Sequence, residues 1–110
     1  MLTKDVNTLK IILREINYLQ EETKDLSLET FMANEGKKRI AAMTLINIGE
    51  LTRHLSTELK QSCKDIPFHE ITATRNTAVH GYFALNFTRI WHTIQESIPT
   101  LKSKLQKLLP

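Results

Sequence analysis

Apolar residues recur every three or four positions from the start of the chain. Leu2, Val6, Leu9, Leu13 and Ile16 form one stripe, widened by Ile12 and Leu19, while Lys10, Arg14 and Asn17 fall on the other side. That spacing predicts an amphipathic helix over about residues 3–22. The polar run ETKDLS interrupts it, and Ser27 is placed to cap a short helix through Glu35, with Gly36 marking a bend. Ala41, Leu45, Ile48, Leu55 and Leu59 then outline one long helix over about 37–61, its stripe broken only by Thr52. Ala42, Ile46 and Gly49 lie beside that stripe, so more than one face is covered. Such a helix is either central in a bundle or part of a subunit interface, and its small residues permit close approach.

SCKDIP is the next break, with Asp65 as a cap and Pro67 in the first turn of a further helix that ends at Gly81. Asn86 is placed to cap a last segment, where Ile90, Trp91, Ile94 and Ile98 repeat at helical spacing. Pro99 is expected to kink or restart it before Leu101, Leu105 and Leu108 continue the stripe beneath Lys102, Lys104 and Lys107. No segment alternates like a strand, and no repeat or linker divides the chain. The pattern predicts one all-α domain over residues 1–110, an up-and-down bundle of four to five helices.

Composition changes this picture little. Hydrophobic residues make up 41% and aromatics 6% of the 110 residues, so the core is expected to be mainly aliphatic. The net charge of +3 permits an anionic partner without requiring one. Cys63 is alone, which excludes an intrachain disulfide and suggests a reducing compartment. No apolar run reaches membrane-span length and the N-terminus lacks a signal-peptide core, so a cytoplasmic protein without a membrane partner is expected. His54, His69 and His92 have no cysteine or acidic residue at metal-ligand spacing, and phosphate-loop and dinucleotide fingerprints are missing. Neither a metal nor a cofactor is expected.

One stretch does not fit a plain bundle. TRNTAVHGYF, residues 74–83, concentrates Arg75, Asn76, His80 and Tyr82 ahead of and around a glycine. Asn76 and His80, four apart, share a helix face, whereas Arg75 and His80 diverge by roughly 140° on an ideal helix. The arginine could curl round, or meet a histidine across a two-fold axis. His80 is expected in the last helical turn, where it can pass a proton as general acid or base. Arg75 offers a planar fork suited to phosphate. These groups suit cleavage of a phosphodiester by its own 2′-hydroxyl, which needs proton transfer and charge stabilisation. The same residues also fit a solvated helix end. Asn47, Glu50 and His54 share a polar face of the long helix, read as a solvated or interhelical strip, and the C-terminal lysines fit either a solvated face or part of an RNA-attracting patch.

RNTAVHGY resembles the R-x4-H-x-Y signature of the HEPN superfamily in the form carried by HepT-like toxins. FMANEGKKRIAAMTLINIGELTRHLS, with Ile48, Gly49 and Glu50, resembles that family's second-helix region. IPFHEITATRN resembles its lead-in, and YFALNFTRIWHTIQESIPTLKSKLQKLL its closing helices, all in colinear order. The resemblance implies a homodimeric bundle with two motif copies facing across a cleft, and a metal-independent RNase with RNA as substrate. It implies Arg75 and His80 as catalytic residues, and Asn76 and Tyr82 as active-site support. It also implies a nucleotidyltransferase antitoxin of the MNT type that attaches AMP to Tyr82, where the nucleotide is expected to lie beside Arg75 and His80. Two other readings remain open on the residues: a non-catalytic dimeric subunit supporting a nucleotidyltransferase, and a helical RNA- or protein-binding module.

Overall fold

A computed structural model describes all 110 residues and contains helices and turns but no strand. Six helices form the bundle: α1 (Thr3–Thr23), α2 (Leu28–Met32), α3 (Glu35–Arg53), α4 (Thr57–Ser62), α5 (Phe68–Ala78) and α6. The last runs through two α-helical pieces, Phe87–His92 and Ile98–Leu108, joined by a π-helical turn, Thr93–Ser97. Helix order and fold class follow the apolar periodicity, with one helix more than expected.

The extra helix arises because the long helix predicted over 37–61 stops at Arg53. Ser56 caps α4, its Oγ accepting the Leu59 amide at 3.1 Å. Asp5, buried in α1, fixes that cap from outside: its carboxylate accepts the Ser56 amide at 2.9 Å and the Ser56 hydroxyl at 2.5 Å. Asp5 therefore occupies the core side of α1 with Leu9, Ile12, Ile16 and Leu19, whereas Leu2 turns outward. Burial raises the Asp5 pKa, but the two Ser56 hydrogen bonds outweigh it and hold the carboxyl below its ordinary value.

Ser27 caps α2 as expected, in a reciprocal capping box with Thr30. α2 ends earlier than predicted because Asn34 caps α3, accepting the Lys37 amide at 3.0 Å. Asp65 does not cap α5. Pro67 occupies that position without a side-chain bond, and Asp65 instead pairs with Lys104 at 3.7 Å. Pro99 does not break α6, since the π turn just before it changes the hydrogen-bond register that the proline ring would otherwise disrupt.

Helix α3 is central. Pairs Glu22–Lys37 and Glu15–Asn47 run in opposite senses along α1 and α3, so these helices are antiparallel. On its other side, Gly49 meets α5. This central position accounts for the two covered faces of α3 without a second subunit. The core joins Leu9, Ile12, Ile16 and Leu19 to Ala41, Leu45 and Ile48, and to Ile94, Ile98, Leu101 and Leu105 of α6. Phe31 is fully buried against Trp91, ring centroids 5.1 Å apart.

Candidate active site

The site begins with a packing constraint. A Cβ on Gly49 would lie 2.8 Å from the Cβ of Arg75, closer than two carbons can approach. Only glycine lets α3 and α5 come this near, and the residue after it benefits: Glu50 Oε2 accepts Arg75 Nε–H at 2.9 Å. Burial raises the Glu50 pKa, but the hydrogen bond and charge of Arg75, followed by Arg53, outweigh it and keep the carboxylate below its ordinary range. Arg75 also donates from Nη1 to Asn76 Oδ1 at 3.2 Å. The guanidinium is thus held at two points, with further N–H donors left for a ligand.

His80 lies beyond α5 rather than in its last turn. The helix ends at Ala78, and its exit tightens as the amides of His80 and Gly81 donate to Thr77 and Ala78 oxygens at 3.0 and 2.9 Å. Gly81 then adopts φ +102° and ψ 162°, a mirror-image extended conformation open to glycine. His80 is exposed, and no hydrogen bond joins it to Arg75 or Asn76. The structure brings Arg75 and Asn76 together and leaves His80 apart.

Tyr82 goes elsewhere. It opens a 3-10 turn, Tyr82–Ala84, and its hydroxyl donates to Glu35 Oε1 at 2.8 Å. Arg39 pairs with Glu35 at 3.1 Å, and its guanidinium lies 4.5 Å from the Tyr82 ring centre. Burial first, then the Glu35 hydrogen bond, raises the Tyr82 pKa. The Tyr82 bond, followed by that of Lys38, lowers the Glu35 pKa. Glu35 and Glu50 stand at opposite ends of α3, roughly 22 Å apart by helical rise. The Tyr82 hydroxyl is therefore remote from the Arg75 anchor within one chain, not beside it as expected.

A cleft of about 730 Å³ lies on the other side of α5, lined by His69, Thr77, Arg89 and His92 among others, but none of the four motif residues faces it. No group of three His, Cys, Asp or Glu side chains is placed to hold a metal ion. Lys102 donates to Gln20 and Lys104 pairs with Asp65. No helix is long and apolar enough to cross a membrane.

The family model described as ribonuclease HepT-like matches residues 12–108. The chain belongs to that family. A protein of Caldanaerobacter subterraneus subsp. tengcongensis, named as a candidate RNase, is 33% identical over 92% of this chain and 90% of its own. A candidate ribonuclease HepT of Thermococcus cleftensis is 29% identical over 91% of each chain. A candidate RNase of Methanocaldococcus jannaschii is 27% identical over 86% of this chain and 87% of its own. No solved structure matches the chain. Ribonucleolytic chemistry is thus the class that comes with membership of the HepT-like family. Two contributors to the site were not evident from spacing. Glu50 had one signal, its place after a glycine inside a long helix, whereas Glu35 lies 47 positions from Tyr82 and had none.

Proposed function

We propose that this HepT-like chain is a metal-independent endoribonuclease toxin in which Arg75 and His80 act on one phosphodiester. The observation that carries the reading is Arg75 itself, fixed by Glu50 and Asn76 across a contact that only glycine permits, with donors to spare. His80 takes the proton of the 2′-hydroxyl, whose oxygen attacks the adjacent phosphorus. Arg75 holds the non-bridging oxygens as negative charge develops on them. The 5′-oxygen takes a proton from solvent as it leaves, giving a 2′,3′-cyclic phosphate and a 5′-hydroxyl. Asn76 limits the swing of the guanidinium.

The complete site forms in a homodimer. Within one chain Arg75 is turned toward α3 while His80 projects past the end of α5, which supports a cleft combining groups from two motif copies. The antitoxin is a nucleotidyltransferase of the MNT type, and Tyr82 is its target. AMP on Tyr82 replaces the hydroxyl hydrogen through which the tyrosine is bonded to Glu35, so the anchor of the turn is lost. The segment from Gly81 to Ala84 is released, and with it the placement of His80.

The test is cleavage of single-stranded RNA in EDTA by wild type, Arg75→Ala and His80→Ala. Wild type cuts and both variants lose at least about a hundredfold in rate, within the usual range for an acid–base group. Equal activity in all three preparations overturns the assignment. Wild type that cuts no RNA yet binds the nucleotidyltransferase favours a non-catalytic subunit instead.

A further inference from the structure

Phe83 is 94% exposed, more open than any other large apolar side chain, with Val79 next at 65%. A phenylalanine this open gains nothing from folding, and flexibility does not account for it. The 3-10 turn that carries it closes on both sides, through the Ala84 amide to Gly81 oxygen and the Leu85 amide to Tyr82 oxygen, each at 3.1 Å. The preceding Tyr82 is clamped by Glu35 and Arg39, and its ring meets that of Phe83 edge-on, centroids 5.5 Å apart. In the single chain an aromatic face therefore stands open on a hydrogen-bonded turn.

Its neighbours indicate what covers it. Arg39, its side chain 60% exposed, lies over the other aromatic of the pair, and His80 is three residues back along the chain. An exposed ring beside a cation suits a single-stranded nucleic acid, whose bases stack on aromatics while its phosphates meet positive charge. An apolar protein surface has less use for the arginine. We infer that Phe83 is a stacking platform for one base of the RNA substrate, with Arg39 contacting the phosphate beside it. Three residues of chain separate the two Cα atoms by at most about 11 Å, which puts the platform near the cut. This inference rests on the ribonuclease reading for its substrate, and it adds a footprint to that site. The platform sets affinity and base preference and takes no part in bond breaking.

The test uses two assays on the full chain. In the first, a short RNA is cut by wild type, Phe83→Ala, Phe83→Leu and Phe83→Trp. The alanine and leucine variants raise KM at least about fivefold, the low end for loss of one base–aromatic stack, with little change in kcat, while tryptophan preserves KM. In the second, RNA carrying 2-aminopurine at successive positions binds to His80→Ala. Fluorescence is quenched at one position, and Phe83→Ala in that background abolishes the quenching. The second assay reads the platform even if no preparation cleaves, so loss of the ribonuclease reading is seen separately. A leucine variant equal to wild type, or a Phe83→Ala chain whose sedimentation shifts to a smaller species, overturns the inference and makes the ring a subunit contact.

Discussion

Gly49→Ala adds one methyl group at the point where α3 meets α5. The new carbon would stand 2.8 Å from Arg75 Cβ and 3.5 Å from both the Ile71 oxygen and Thr72 Cα. Unbonded carbons settle at about 3.5–4.0 Å, so the helices must part by roughly 1 Å. Two terms compete. Replacing glycine by alanine inside a helix gains about 1 kcal/mol, whereas overpacking a close contact costs about 1–3 kcal/mol. The balance is a loss of up to about 2 kcal/mol, and the neighbour here is a Cβ fixed to backbone, which cannot swing aside.

The functional effect is larger, because the displaced atom carries the Arg75 side chain away from Glu50. A 1 Å misplacement near reacting groups costs on the order of a hundredfold in rate. Gly36→Ala is the control, since a Cβ there meets only Asn34 Oδ1 at an ordinary 3.5 Å. It should gain up to about 1 kcal/mol and leave cleavage unchanged. Urea unfolding and single-turnover cleavage of all three proteins provide the readout. A Gly49→Ala protein as stable as Gly36→Ala and as active as wild type would refute the argument that the close approach builds the site.

Glu50→Gln keeps a hydrogen-bond acceptor but not the charge that holds Arg75, so cleavage should fall by about tenfold or more with urea stability little changed; unchanged kcat would remove Glu50 from the site. Mixing Arg75→Ala with His80→Ala chains should restore cleavage absent from each alone, because a heterodimer regains one intact Arg75 and one intact His80; no recovery in verified heterodimers would count against a shared cleft. Asp5→Ala should destabilise the fold by about 2–3 kcal/mol, since a charged, buried partner of Ser56 is lost. The native Asp5 pKa is lowered, so its contribution is fully present above the unfolded value of about 4 and disappears as pH falls through the native value. The gap in urea midpoint between wild type and variant should therefore be constant above pH 5 and narrow as pH falls below 4. Tyr82→Phe should fold normally and escape neutralisation by a co-expressed nucleotidyltransferase, whereas silencing of that variant would show that the antitoxin acts elsewhere.

The helices were legible in the sequence because they bury apolar stripes, and Leu45, Ile48, Ile94 and Ile98 all occupy the core their spacing predicts. The break at residue 54 was not, because Asp5, which holds the Ser56 cap in place, lies 51 positions away. The motif residues could be selected by chemistry, but not their partners. The Glu50–Arg75 contact depends on a helix separation that no local pattern encodes, although Gly49 marked the place where close packing was possible. His80 was misplaced by part of a turn because helix ends depend on the tightening that begins at Thr77, which periodicity does not register. AMP on Tyr82 was expected beside Arg75 and His80, yet past Gly81 the tyrosine side chain runs to Glu35 and Arg39.

The most direct measurement uses a short RNA with one mapped cut, prepared with ribose, deoxyribose or a 2′-O-methyl sugar at the scissile nucleotide. Wild-type protein cleaves each in EDTA, and product masses are read. Only the ribose substrate should be cut, leaving a 2′,3′-cyclic phosphate on its upstream fragment, with no product from His80→Ala. Cleavage of the deoxy substrate, or activity that appears only when magnesium is returned, would contradict this.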